Sequence, residues 1–393
     1  MAGAEGLPSD LLGEIYRRCA SVSPYDRARF AAVCTSWRAV ASSYPKLPAL
    51  PLLLPSTDDP RRDLPTRPYS PEDGRVLRAP LPCSPPRGMR IVGSYDGGWV
   101  AATGGSQVMV VNLFTRAQVL LPGCFACRCP KNRLANNKLS IEKIIFSKDP
   151  TLKGCILAAI TTRCIIGLCN PRSQNIAWTT RGCDSYLCSN LTDIAFCNGE
   201  LYGLSRYTLY RLVLGRKRNG APIVTSVYDL ATRPNTHAAY AKYVFDLRGK
   251  LAIAVEIRNH NKTLFRIFRL ATYLDKSGTN KYLWFEVASL GDNALFLGPG
   301  CCKAVHVAAV GKGGGVEANR IYYSSPDVYV NCSARLDLGS CDVYCWESDD
   351  VHRSDGIMSR GYHYRDKDDE NSHDKKDGNN SKYSCMWVLP PDF

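Results

Sequence analysis

Three closely spaced cysteines, Cys124, Cys127 and Cys129, come nearest to a reactive cluster in this 393-residue chain. Thiolates at that spacing suit one side of a tetrahedral zinc site, which needs four ligands. The remaining ligands would have to come from Cys183 with Cys188 or Cys341 with Cys345, and neither pair has the two-residue spacing of a second knuckle. With 18 cysteines spread along the chain, a chance cluster is the expected reading, and no metal or other cofactor is expected. Lys312-Gly313-Gly314-Gly315 lacks the spaced glycines and the Lys-Ser/Thr of a phosphate-cradling loop, so it reads as a hairpin. Arg216-Lys217-Arg218-Asn219-Gly220 reads as a solvated basic turn. His237, His260, His306, His352, His363 and His373 never fall at metal-ligand spacing. No Gly-x-Ser-x-Gly elbow and no paired-carboxylate site is visible. The expectation is a binding protein and not an enzyme.

The elements that would position a binding site begin with a helical pattern. Ser9 predicts an N-cap, and Leu11, Leu12 and Ile15 then share one helical stripe. Ser23-Pro24 is a second start, a cap residue followed by proline in the first turn. Phe30, Val33, Cys34 and Trp37 recur at three and four, the period of a buried helix face. About three short helices are therefore expected over residues 1–44. So small a bundle buries little surface alone, and apolar positions left exposed would be better covered by a partner.

This segment resembles an F-box, the helical module that docks a protein onto the adaptor of a cullin ubiquitin ligase. The likeness rests on Leu7-Pro8-Ser9-Asp10-Leu11-Leu12 leading to Val33-Cys34-Thr35-Ser36-Trp37-Arg38. It implies adaptor contacts at Leu7, Pro8, Leu11, Leu12, Ile15, Val33, Cys34 and Trp37, some of which must also hold the bundle together.

Residues 45–90 read as a linker, because twelve of the 24 prolines lie between Pro45 and Pro86, a density that favours extended, semi-rigid chain. Beyond residue 90 the texture changes to short Val, Ile, Leu, Tyr and Phe runs broken by glycines, the pattern of strands. A turn glycine followed by an apolar strand recurs at Gly97, Gly154, Gly199, Gly249 and, more weakly, Gly300. A second marker keeps step: Asn112 and Asn170 stand in similar contexts, as do Tyr210-Arg211-Leu212 and Phe268-Arg269-Leu270. A period near fifty in an all-β chain predicts a β-propeller, one four-stranded sheet per repeat. Five recognisable turns and a C-terminal unit predict about six blades, with a pair of β-sandwiches as the structural rival. The fold class expected is thus multidomain, α plus all-β, with the propeller over residues 91–393.

The order of Gly98-Trp99, Asn112 to Pro122, Asp193 to Ser205, Ser289 to Gly300, Asn319 to Tyr323 and Met386 to Pro390 is similar to a large plant family. In that family an F-box precedes a kelch-like propeller of unknown function, and some members are ubiquitin-ligase receptors that bind kinases. The charged run near 349–381 departs from the pattern; dense mixed charge with few apolar residues predicts a disordered insertion. The apolar Tyr383 to Leu389 segment is expected to return and close the propeller near its start.

Charge adds one more observation. The net +14 is uneven, since residues 91–348 hold 30 Lys/Arg against 17 Asp/Glu, and a basic domain attracts anionic partners. No run of eighteen apolar residues exists and no basic-then-apolar leader opens the chain, so the expected location is cytoplasm or nucleus, without membrane association. There the cysteines act as small buried hydrophobes. The expected function is the substrate-recognition subunit of a cullin-RING (SCF-type) ligase, with the adaptor and, through it, cullin as partners, alongside an unidentified target protein. Trp99, Arg206 and Tyr207 are the kind of aromatic and basic anchors such a propeller could use. A basic propeller that binds nucleic acid or chromatin is the alternative, and a propeller enzyme with scattered catalytic residues is a third.

Overall fold

A computed structural model of the chain describes residues 7–20, 30–31, 33–44, 50–57, 68–71, 75–77, 81–105, 107–123, 140–161, 166–174, 176–180, 191–205, 208–232, 239–259, 262–274, 276–278, 280–307, 316–324, 342–347, 362–363 and 383–391. The first part holds two helices, α1 (Ser9–Ala20) and α2 (Thr35–Ser43). The Leu12 N–H donates to the Pro8 carbonyl at 3.0 Å, so Pro8, not Ser9, takes the cap position. Asp10 in the first turn and Arg17 and Arg18 in the last complement the helix dipole. The expected helix face running unbroken from Phe30 to Trp37 is interrupted. Cys34 is extended (φ −163°, ψ 179°) and precedes α2, while the Val33 N–H turns back to the Phe30 carbonyl at 3.2 Å. Two helices are thus described where three were expected, and the Ser23-Pro24 start lies outside the described residues. Four rings form the core of this unit. Phe30 lies between Trp37 (4.3 Å, tilted) and Tyr16 (5.2 Å, edge-on), and Tyr16 meets Tyr44 at 4.8 Å. Gly13 admits Tyr44, since a Cβ there would stand 2.7 Å from the hydroxyl.

The remaining strands form six sheets. β1 (Leu52–Thr57), β2 (Tyr69–Ser70) and β3 (Arg75–Val76) come first in the chain. Blade I follows as β4 (Arg90–Tyr95), β5 (Trp99–Gly104), β6 (Gln107–Asn112) and β7 (Gln118–Leu121). Blade II is β8 (Ile141–Phe146), β9 (Leu157–Thr161), β10 (Ile166–Cys169) and β11 (Thr179–Thr180). Blade III is β12 (Leu191–Cys197), β13 (Glu200–Ser205), β14 (Thr208–Arg216) and β15 (Pro222–Thr232). Blade IV is β16 (Ala239–Leu247), β17 (Lys250–Asn259), β18 (Lys262–Leu274) and β19 (Asn280–Glu286). These four are regular antiparallel meanders with the first strand innermost. Apolar clusters fill the spaces between consecutive blades, so each sheet buries both faces. This is a six-bladed propeller, and the sandwich alternative falls away.

Blade V departs from the repeat. It holds β20 (Asn293–Gly298), β21 (Cys301–His306), β22 (Arg320–Ser324), β23 (Asp342–Glu347) and β24 (Tyr362–His363), in the order β21-β20-β22-β23-β24. β22 lies parallel to β20, with Leu295 opposite Ile321. Here the inner strand follows its neighbour in the chain, which is why the Gly300 turn matched the other turns only weakly. Apart from Tyr362 and His363, the charged insertion near 349–381 lies outside the described residues.

Blade VI closes the ring. β25 (Tyr383–Val388) pairs with β1 over the full run from Leu52↔Val388 to Thr57↔Tyr383, and β2 and β3 complete the sheet. The return of Tyr383 to Leu389 is as expected, but its partner corrects the reading of residues 45–90 as a linker. Proline density argues against a strand that must donate on both sides. β2 meets β1 only at Leu53↔Tyr69, so on that side the ladder has ended before Pro55, where no N–H exists to give. Trp387 is the closing wedge. It is fully buried, its indole N–H donates to the Leu297 carbonyl of blade V at 2.9 Å, and its carbonyl accepts from the Ser94 hydroxyl of blade I at 2.6 Å.

The inner strands β25, β4, β8, β12, β16 and β21 succeed one another around the axis. In blades I to IV the inner strand carries a bulge at the same place, between Ile91 and Gly93, Ile141 and Lys143, Leu191 and Asp193, and Ala239 and Ala241. A bulge re-aims the residue that follows it. At Gly93 the neighbouring blade comes so close that a Cβ would lie 1.9 Å from the Ile144 carbonyl oxygen, which forbids any side chain. Lys143 and Asp193 occupy the matching positions in blades II and III and meet at 2.5 Å, both buried. The Asp193 carboxylate also accepts the N–H of Ile194 (2.9 Å) and, from blade IV, that of Val244 (2.8 Å). Arg90 reaches likewise from blade I to the Ile141 carbonyl at 3.1 Å.

Two outcomes test this account of the ring. Trp387→Ala should destabilise the propeller by about 3–5 kcal/mol, seen as a lower denaturant midpoint. Lys143→Met should cost about 3–5 kcal/mol because it strands a buried carboxylate, and adding Asp193→Leu should recover much of that loss; additivity in the double-mutant cycle would refute the coupling. Burial opposes the Lys143 charge, but the attraction of Asp193 outweighs it and raises the pKa above 10.5. The stabilisation from this lysine is therefore fully present below pH 10.5 and lost only as pH climbs through the raised value.

Candidate functional site

The helical unit sorts the residues singled out by sequence into two groups. Leu12 is only 1% exposed and packs with Tyr16 and Phe30; Ile15 and Trp37 lie half-buried against the same core. Leu7, Pro8, Leu11 and Val33 face outward, Leu11 at 53% and Val33 at 51% exposure. Helix geometry explains the split between neighbours, since a step of one residue turns the side chain by about 100°. Leu7 lies just before the Pro8 cap, outside the helix, and Leu11 is on its first turn. Val33 points out because the chain leaves helical geometry beside it. Cys34 spans both groups: it is partly exposed, and its thiol lies 3.0 Å from the Ser36 hydroxyl. An exposed apolar surface on a unit with its own core can bind another protein by burial, at about 1.5–3 kcal/mol for each large side chain fully covered.

Lys143 and Asp193 are a buried acid–base pair that sequence reading missed; their separation of 50 residues, one repeat, is the signal that could have found them. Both carboxylate oxygens of Asp193 are committed to donors, so neither is free to take a substrate proton. Burial pushes the thiols of Cys169, Cys197 and Cys302 up to about 12, which leaves them protonated at neutral pH and poor nucleophiles. Among the described residues, no group of three or more His, Cys, Asp and Glu side chains is placed to hold a metal ion; Cys124, Cys127 and Cys129 lie outside them. No helix among the described residues is long and apolar enough to cross a membrane. Of the suggested anchors, Arg206 and Tyr207 lie outside the described residues. Trp99 is no anchor: it is 5% exposed and its indole N–H donates to Asp149 of blade II at 3.2 Å.

Solved propellers resemble this arrangement distantly. The N-terminal domain of Nup159 aligns at 11% identity and TM-score 0.30 over 66% of this chain and 60% of that one. The Dos1 propeller aligns at 12% and 0.33 over 71% and 62%. The Cps50 (Swd1) propeller domain of Myceliophteria thermophila aligns at 10% and 0.34 over 81% and 87%. The chain thus spans under two thirds of the length of the first two. No curated protein matches it. Residues 68–355, covering β2 and β3 of blade VI, blades I to IV and most of blade V, match the KIB1-4 beta-propeller, and the chain belongs to that propeller family.

Proposed function

We propose that this protein is the substrate-recognition subunit of a cullin-RING ubiquitin ligase, its helical unit docking the cullin adaptor and its propeller holding the target. The observation that carries the reading is the division within the helical unit. Four of the positions where an F-box would touch its adaptor, Leu7, Pro8, Leu11 and Val33, are exposed apolar residues on a module whose core is filled by others. A propeller of the KIB1-4 family supplies a rigid body suited to protein interaction. Chemistry would occur elsewhere, because holding target lysines beside a recruited conjugating enzyme raises their effective concentration.

The test is capture of the cullin adaptor by the purified full chain. Leu11→Asp should abolish capture with little change in folding, because the side chain lies outside the core. Leu12→Ala should instead loosen the helical unit by about 2–5 kcal/mol and lower capture through that loss. Adaptor binding that survives Leu11→Asp together with Val33→Asp would refute the docking role.

A further inference from the structure

The geometry points to one face of the propeller as a binding surface for an acidic, extended segment of a target protein that carries an apolar side chain among its carboxylates. This rests on the reading of the propeller as the target-holding part. In a four-stranded meander the first and third turns lie at the same end of the sheet, so in blades I to IV these turns share one face. The first turn of blade II, residues 147–156, carries Lys148, Lys153 and Leu152, the last of these 53% exposed. The third turn of blade III places Arg216, Lys217 and Arg218 in solvent. The two turns meet: Lys148 Nζ and Arg216 Nη2 lie 3.6 and 3.8 Å from one point, the position a Cβ on Gly154 would take. Asp149, the acid of this neighbourhood, is engaged by the Trp99 indole and by Thr151. Among the described residues none of these five cations forms an ion pair. Five cations on two touching turns that hold one carboxylate, Asp149, leave a net positive surface that an anionic ligand would relieve.

A second observation lies on the same face. Asn198-Gly199 and Arg248-Gly249 are the equivalent first turns of blades III and IV, and they touch through the Asn198 amide, which donates to the Gly249 carbonyl at 2.8 Å. Both first residues have positive φ, 50° for Asn198 and 55° for Arg248. Asparagine tolerates that conformation, whereas arginine holds it under strain. Arg116, in the third turn of blade I, is held the same way at φ 65°. Strain retained at exposed positions points to a role for the side chain placed there. The partner is polypeptide and not nucleic acid on two grounds. Bases need exposed aromatic platforms; among the described residues of these turns, Phe114 packs its ring over Gly98, and Trp178 packs against the core between blades I and II with its indole N–H donating to the Pro122 carbonyl at 2.9 Å. The turn that carries Lys148 and Lys153 also exposes Leu152, which a phosphate backbone cannot use.

The test uses the full-length protein and a short fluorescent peptide of Glu and Asp around a central Leu, followed by anisotropy. Binding should weaken with added salt, and the same peptide in Gln and Asn should not bind. Arg216→Glu/Arg218→Glu should weaken it about tenfold or more. Arg248→Asn should weaken it as well while keeping or raising the thermal midpoint, because it relieves the strained turn; an unchanged affinity in both variants would overturn the assignment. So would a single-stranded oligonucleotide that displaces the peptide and responds to the same substitutions. Adaptor capture by these variants separates the two readings. Peptide binding absent while capture persists refutes this surface alone; capture absent while the peptide still binds refutes the ligase role and leaves the surface standing.

Discussion

Ring closure is the constraint on which the other features depend. A propeller blade is a sheet with two apolar faces, and each face is buried only if a neighbour covers it. Five blades in a row would leave the first and last exposed. The chain meets this demand by pairing β25 near its C-terminus with β1 before blade I, so that the last sheet contains both ends of the repeat array. Trp387 then ties its own blade to both neighbours, packing edge-on against Phe296 and bonding to Leu297 in blade V while accepting from Ser94 in blade I. The cluster that holds this seam joins residues of blades V, VI and I in one core.

Within the closed ring, the repeat places chemically different residues at equivalent points and uses them for different tasks. After the inner-strand bulge, blade I has Gly93, blade II Lys143 and blade III Asp193. Glycine permits the backbones to touch; the lysine and aspartate tie successive blades together. The charged pair is buried and its oxygens are all engaged, so its task is to set blade position. The turns are where the scaffold can vary at low cost. They stand at the surface on rigid strands, where side chains tolerate change more readily than in the core.

The helical unit solves a related problem at smaller scale. Too small to bury all its apolar residues, it packs Leu12, Tyr16, Phe30, Trp37 and Tyr44 around one centre and leaves Leu7, Leu11 and Val33 outside. The interruption before α2 matters here. Had the helix run unbroken through Cys34, Val33 would share the face of Phe30 and Trp37 and belong to the core.

Much of this was legible in the residues alone, and the reason is locality. A tight hairpin needs glycine or asparagine within a few residues of an apolar run, so Gly97, Gly154, Gly199 and Gly249 announce the repeat, its period and hence the blade number without reference to anything distant. The amphipathic stripe of α1 is local in the same sense. What the sequence could not settle were pairings between residues far apart. A proline-rich stretch becomes a strand because Leu52–Thr57 finds β25, and no property of the prolines reveals that partner. The parallel insertion of β22 beside β20, the meeting of Lys143 with Asp193, and the approach of Lys148 to Arg216 are decided in the same way. Each depends on which backbones lie side by side once the ring is closed, and only the tertiary structure decides that.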